Sequence, residues 1–400
     1  MSHRSAVRSW FALTLALVTA GVAIWIVLPA PNRTLLTLAV GAPEISAWLL
    51  VTAALAMMLA MFDARRRVVS RLSLALSAAA LALASSPLLR FQGVADSAES
   101  ALRSGLGVDY LDRIAPAQRA LLRSKPLIVR GLFDGRVART SVRISRNHTI
   151  EILADDTLTV DVYQPTGEGP HPVLVQIYGG SWQSGAPSGF AAFAEHIASL
   201  GFVVFAIDYR HAPTHRFPTQ IGDVRRALSW IGAEATTWHA DTSRMVLMGR
   251  SAGAHLAMLA AYAPDAPRIR GVISYYGPVD LVEGYRNPPS PDPLDVRAIE
   301  EAFLGGPPDS RMALYRAASP ISLVTGQLPP TLLVHGGRDH IVEPRFGALL
   351  AGQLRAAGNV VVHVEIPWAE HAFDAVPNGP SGQLSQYVTE RFLTWAVAAP

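Results

Sequence analysis

Hydrophobic and polar positions are distributed unevenly along the chain. Trp10–Ala30, Ile45–Phe62 and Leu72–Leu89 each lack a charged residue. A helix crosses the hydrocarbon with about 20 apolar residues, within a range of ~17–25, so the pattern predicts three membrane helices, near 10–30, 45–62 and 72–89. The last is rich in Ala and Ser and holds Pro87. A signal peptide followed by buried helices is the competing reading; it suits the first stretch alone, because two further apolar stretches follow. Fewer spans, one or two, remain the alternative.

Beyond Arg90 the pattern changes. Residues 91–140 read as a polar, arginine-containing connector with helical stretches, including one around Ala115–Arg123. "SVRISRNHTIEI" and "LTVDVYQP" then alternate apolar and polar positions, as half-exposed strands do. Buried strands are predicted at 173–178, 202–208, 245–249, 270–275, 331–335 and 360–366, and helices near 187–200, 219–232, 252–263, 343–357 and 382–397. Strands alternating with helices imply a mostly parallel sheet covered on both faces, with the opening pair as its antiparallel edge. The segment 283–319 interrupts this rhythm and carries its own helical patch, which makes it a candidate lid. The chain thus divides into a membrane domain (1–90), a connector (91–140) and an α/β domain (141–400).

Half of the 400 residues are hydrophobic, and the formal net charge is +3. The basic residues are arginine except for Lys125, and the longest basic run is Arg65–Arg67, so nucleic-acid binding is not expected. The charge matters for topology instead. Arg4 and Arg8 precede the first apolar stretch, and Arg65, Arg66, Arg67 and Arg71 separate the second from the third, whereas the intervening loop holds only Arg33 and Glu44. The positive-inside rule then keeps the amino terminus cytoplasmic and, with three spans, places the α/β domain outside. Cysteine is absent, which removes disulfides and thiolate metal sites. No histidine–carboxylate spacing suggests a metal, and no phosphate-binding glycine motif suggests a nucleotide cofactor.

Chemistry concentrates at strand ends. Gly249-Arg250-Ser251-Ala252-Gly253 joins an apolar run to a helix-forming one. Small residues at 249 and 253 allow strand and helix to meet closely while Ser251 takes a strained turn conformation above the sheet. A serine nucleophile needs a base and an oxyanion site. Gly179-Gly180-Ser181-Trp182 follows an earlier buried strand, Asp339 follows "PPTLLVHGGR", and His371 follows "VEIPWAE". All stand at the carboxyl edge, where open α/β sheets hold their ligands. Rival bases are His340, His363 and His255; rival acids are Asp280 and Asp374.

From about residue 140 to 400 the chain resembles the α/β-hydrolase family, in its hormone-sensitive-lipase-like and acetyl-xylan/feruloyl-esterase-like carboxylesterase branches. "IDYRHAPTHRFPTQIGDVRRALSWI", "ISYYGPVDL" and "LPPTLLVHGGRD" carry the resemblance together with the serine turn. It implies an α/β-hydrolase fold with a short lid and no cofactor. Ser251 would be the nucleophile, His371 the general base and Asp339 its orienting acid, with the N–H groups of Gly180, Ser181 and Ala252 as oxyanion hole. Tyr178, Gly179, Trp182 and Arg250 are the expected substrate-side residues. The family usually has His-Gly-Gly-Gly where this chain has Tyr178-Gly179-Gly180-Ser181. The implied activity is hydrolysis of a small-molecule or lipid ester at a membrane. An acyltransferase or deacetylase acting on envelope lipid or glycan uses the same residues, and a non-catalytic receptor on this fold is the reading from another class.

Overall fold

The computed structural model describes residues 3–62, 67–134, 141–154 and 156–398. Arg65 and Arg66 lie outside them.

Four helices open the chain: α1 (His3–Ala23), α2 (Arg33–Glu44), α3 (Ser46–Met61) and α4 (Arg67–Leu106). α1, α3 and α4 pack as a bundle through small residues, among them Ala23, Ala53, Ala80 and Ala84, which let helix backbones approach closely. Thr19 and Thr52 share a hydrogen bond of 3.2 Å across it. Two segments, Val7–Ile26 and Val68–Leu106, are long and apolar enough to cross a membrane. The expectation of three clear spans needs correcting at the second. α3 has 16 residues, about 24 Å at ~1.5 Å per residue, which is short of the ~30 Å hydrocarbon core. It joins α2 at a bend of 83°. The third stretch continues past Leu89 as one helix to Leu106, in spite of Pro87. Pro87 has no N–H for the Leu83 carbonyl, and the Ser86 hydroxyl donates to that oxygen instead at 2.8 Å.

A short helix, α5 (Pro116–Arg119), follows, and then the sheet: β1 (Val142–Ile152), β2 (Thr157–Pro165), β3 (His171–Ile177), β4 (Val203–Ile207), β5 (Ala240–Arg250), β6 (Gly271–Tyr275), β7 (Thr331–Gly336) and β8 (Val361–Ile366). The spatial order is β1-β2-β4-β3-β5-β6-β7-β8. β1 and β2 run antiparallel at one edge, and every pair from β4 to β8 is parallel. The crossovers are α6 (Ala191–Ser199), α7 (Thr219–Glu234), α8 (Ala252–Tyr262) and α12 (Pro344–Ala356), with α13 (Pro380–Ala398) closing the chain. Between β6 and β7 the interruption seen in the sequence forms α9 (Leu281–Arg286), α10 (Val296–Leu304) and α11 (Pro308–Ala317).

Alternation along the strands divides the core in two. Val173, Val175 and Ile177 join one cluster with α7, α8 and α12, while Leu174 faces the other with α6 and α13. Phe91, Ala95, Ala98, Leu102 and Leu106 of α4 belong to the second cluster. The long helix is therefore at once the last apolar stretch and a layer of the α/β domain. The 107–134 segment lies along α13, where the Glu390 carboxylate accepts from Arg123 N at 2.8 Å and Arg123 Nε at 3.1 Å.

Candidate active site

β5 ends at Arg250, and Ser251 turns the chain into α8 with φ 51° and ψ −122°, a region costly for any residue with a side chain. Close packing makes the turn necessary. A Cβ on Gly249 would stand 2.2 Å from the Gly253 carbonyl carbon, and one on Gly253 would stand 2.2 Å from the Ile177 oxygen. Ser251 N donates to Tyr275 O at 2.9 Å, which fixes the turn to β6.

The Asp339 carboxylate sits in the turn after β7. Its Oδ1 accepts from the N–H groups of Ile341 (2.9 Å) and Val342 (2.8 Å), and its Oδ2 lies 2.8 Å from His371 Nδ1. His371 Nε2 is 3.0 Å from Ser251 Oγ. A carboxylate can only accept, so Nδ1 carries the proton and Nε2 is left to accept from the serine hydroxyl. Burial disfavours the imidazolium, but the charge and hydrogen bond of Asp339, with Glu370 and Asp374 behind, outweigh it; the His371 pKa lies above the ordinary 6.5. The residue is 8% exposed, and its ring packs 4.5 Å from the Tyr276 ring.

Facing the serine, Gly180 (φ 134°), Ser181 (φ 55°) and Trp182 (φ 58°) make a tight turn, closed by Gln183 N and Ser184 N donating to Gly180 O at 2.9 and 3.1 Å. Among the described residues, no backbone hydrogen bond uses the N–H of Gly180 or Ser181. The N–H of Ala252, first in α8, has no acceptor within its helix. All three donors are free for an oxyanion, with the positive end of the α8 dipole behind Ala252. Trp182 donates to His255 Nδ1 at 3.2 Å and stacks on Phe303 at 4.2 Å.

Ser251 stands where two cavities meet. The inner one, about 50 Å³, is lined by Trp182, Val279, Ile299, Glu300, Val342 and Phe346 among others, and the outer one, about 610 Å³, by Gly179, Gly180, His371, Leu294, Ile341 and one face of α2. Ser181, Ser251, Ile299 and Ile341 line both. The α10 and α2 residues escaped sequence reasoning. α10 had a signal, since Val296, Ile299, Glu300 and Phe303 recur at helical spacing inside the 283–319 segment; α2 had none, because nothing local tells which face of a short helix meets a distant loop.

One expected substrate-side residue lies elsewhere. Tyr178 lines neither cavity; its hydroxyl donates to Asp208 Oδ1 at 2.5 Å and its ring stacks 4.5 Å from Tyr209, propping the glycine turn from behind. Arg250 does line the outer cavity, as expected, but is only 1% exposed. Its guanidinium bonds to Asp374 and lies over the rings of Phe190 and Phe193 at 4.0 and 4.5 Å. That pairing also removes Asp374 as a rival acid. Asp280 caps α9 by accepting from Glu283 N at 3.0 Å. His340 bonds to Glu370 at 2.6 Å, and His255 to the Ala318 carbonyl at 2.5 Å. His363 is a strand residue of β8, and burial lowers its pKa to about 4. Among the described residues, no group of three or more His, Asp or Glu is placed to hold a metal.

Comparison with known proteins agrees with this architecture. Residues 160–354 match the BD-FAE family. A probable carboxylic ester hydrolase, LipM, of Mycobacterium tuberculosis is 31% identical over 243 residues, covering 56% of each chain. Esterase LipC of the same organism is 32% identical over 228 residues, 53% of this chain and 56% of its own. The chain thus spans about half the length of these curated relatives. Among solved structures, an esterase of Pyrobaculum calidifontis superposes with a TM-score of 0.57 at 21% identity, covering 72% of this chain and all (100%) of that one. The globular part of this chain has the α/β-hydrolase fold, and its relatives in sequence bear the names of carboxylic ester hydrolases.

Proposed function

We propose that this protein is a membrane-anchored serine carboxylesterase with Ser251, His371 and Asp339 as its triad. The observation that carries the reading is the unbroken path Asp339 Oδ2–His371 Nδ1, His371 Nε2–Ser251 Oγ, at 2.8 and 3.0 Å, ending where two cavities meet. His371 takes the hydroxyl proton as Ser251 Oγ bonds to the ester carbonyl carbon. The N–H groups of Gly180, Ser181 and Ala252 hold the carbonyl oxygen as it becomes an oxyanion. Collapse breaks the bond to the alcohol oxygen, which leaves with the proton from His371 Nε2. Water, deprotonated by the same nitrogen, then cleaves the acyl-serine and restores the hydroxyl. The inner cavity, at about 50 Å³, has room for roughly three to five water-sized groups, which suits a short acyl group.

The anchor is α1, α3 and α4, with the short α3 as the middle crossing and α2 at the end of the bundle that meets the α/β domain. Arg8 and Arg71 stand at the bundle end away from the α/β domain, and the Arg8 side chain reaches the Phe62 carbonyl there. The positive-inside rule orients that end to the cytoplasm and the hydrolase domain outside. Ser251→Ala tests the assignment on p-nitrophenyl acetate: the pre-steady-state burst and the turnover should both vanish, and turnover equal to the parent's would reject Ser251 as nucleophile.

A further inference from the structure

The proton path decides which half of the ester occupies which cavity, given the triad reading above. The departing alkoxide must collect its proton from His371 Nε2, and His371 lines the outer cavity but not the inner one. The alcohol half therefore belongs in the outer cavity and the acyl half in the small inner one. The outer cavity has an unusual wall. Arg33, Leu36, Thr37 and Val40 all line it, and their spacing of i, i+3, i+4 and i+7 is one face of α2. Leu294, Ile299 and Ile341 line the same cavity, so Leu36 and Val40 extend an apolar surface that these three begin.

α2 connects α1 to α3 and so lies at the end of the membrane bundle. It is fastened to the hydrolase domain at both ends. The Val27 carbonyl just before it accepts from Arg338, the neighbour of Asp339. At its other end the Glu44 carboxylate accepts from Ser381 N at 2.9 Å, at the start of α13. Val27 and Leu28, in the turn before it, are exposed apolar residues, so an apolar chain leaving the outer cavity along α2 passes onto the flank of the bundle instead of into water.

We infer that α2 is a wall of the substrate site, and that the substrate is a short-chain acyl ester of a membrane-resident lipid alcohol, its alkyl part lying along Leu36 and Val40. Hexadecyl acetate and ethyl hexadecanoate are isomers that exchange the long and short halves, which makes them the discriminating pair. Both are presented in phosphatidylcholine vesicles to the full-length protein, with p-nitrophenyl acetate as soluble reference. The expected result is a kcat/KM at least tenfold higher for hexadecyl acetate than for its isomer. In Leu36→Ala/Val40→Ala the ratio of hexadecyl acetate to p-nitrophenyl acetate should fall at least tenfold, while Leu38→Ala, on the other face of α2, shifts it less than twofold. Activity of each variant on p-nitrophenyl acetate reports that it is folded. Preference for ethyl hexadecanoate, or a ratio in the double variant within twofold of the parent, overturns the inference and leaves the triad standing. No turnover of p-nitrophenyl acetate by the parent overturns both.

Discussion

Asp339→Asn is the sharpest test of the triad because the structure keeps its consequences apart. Oδ1 accepts two turn N–H groups, from Ile341 and Val342, and an asparagine carbonyl oxygen can accept both. The amide nitrogen is thereby forced into the place of Oδ2, facing His371 Nδ1. It is a donor, so Nδ1 must give up its proton and accept, and the proton moves to Nε2, where it blocks acceptance from Ser251 Oγ. The wrong tautomer costs about 10⁴ in kcat in the serine-protease template, about 5.5 kcal/mol of transition-state stabilisation at ~1.36 kcal/mol per decade. Folding should lose far less, about 1–3 kcal/mol for the single charge-assisted bond to His371. KM should move little, since Asp339 lines neither cavity. Stopped-flow hydrolysis of p-nitrophenyl acetate, read for burst and steady state, gives kcat and KM, and urea unfolding gives stability. The pH profile adds a second readout. Parent kcat/KM should rise with pH through an apparent pKa above 6.5, because His371 must be neutral to act and Asp339 favours its charged form; in the variant that limb should move to lower pH. A loss in kcat below tenfold, with the limb unmoved, would refute the role given to Asp339.

Three further outcomes are expected. Gly180→Ala places a Cβ 2.0 Å from the Ser184 carbonyl oxygen at φ 134°, so the loop must shift its N–H groups, and kcat on p-nitrophenyl acetate should fall ~10²–10³ with burst stoichiometry preserved. Arg250→Met leaves the buried Asp374 carboxylate without its cation, and urea denaturation should show a loss of about 3–5 kcal/mol; a loss under 1 kcal/mol would refute the structural role of this pair. Burial holds the Glu300 carboxyl well above 4.5, with Asp280 adding to the shift. A raised acid pKa means stability present at low pH and lost as pH climbs beyond 4.5, so Glu300→Gln should melt above the parent at pH 8, with the gap closing toward pH 4.5 in parallel thermal scans.

Strand order along the chain, the serine turn and the residues opposite it were legible in the sequence for a local reason. Each buried strand is a run of apolar residues too short for a membrane and too uniform for a surface helix, and each candidate site residue follows shortly after such a run. Gly249 and Gly253 showed the elbow because close backbone packing admits no other residue there. Asp339 and His371 were readable by their place at strand ends, although 32 positions separate them, since a parallel sheet brings all its carboxyl ends to one edge.

What depends on side chains meeting from distant segments was not legible. Arg250 occupies the variable place of the motif, and only the tertiary structure puts Asp374 and two phenyl rings around it. Tyr178 stands next to the glycine turn in sequence but points back toward Asp208. Apolar runs alone revealed membrane-length segments, yet the 83° bend between α2 and α3 and the passage of α4 into the second core are visible only in the tertiary structure. Hydrophobic periodicity tells that a helix has a buried face; which partner buries it is set by long-range geometry. The residues of the proposed triad are thus legible in the sequence, and the shape of the cavities beside Ser251, with α2 lining the larger one, is decided by the tertiary fold.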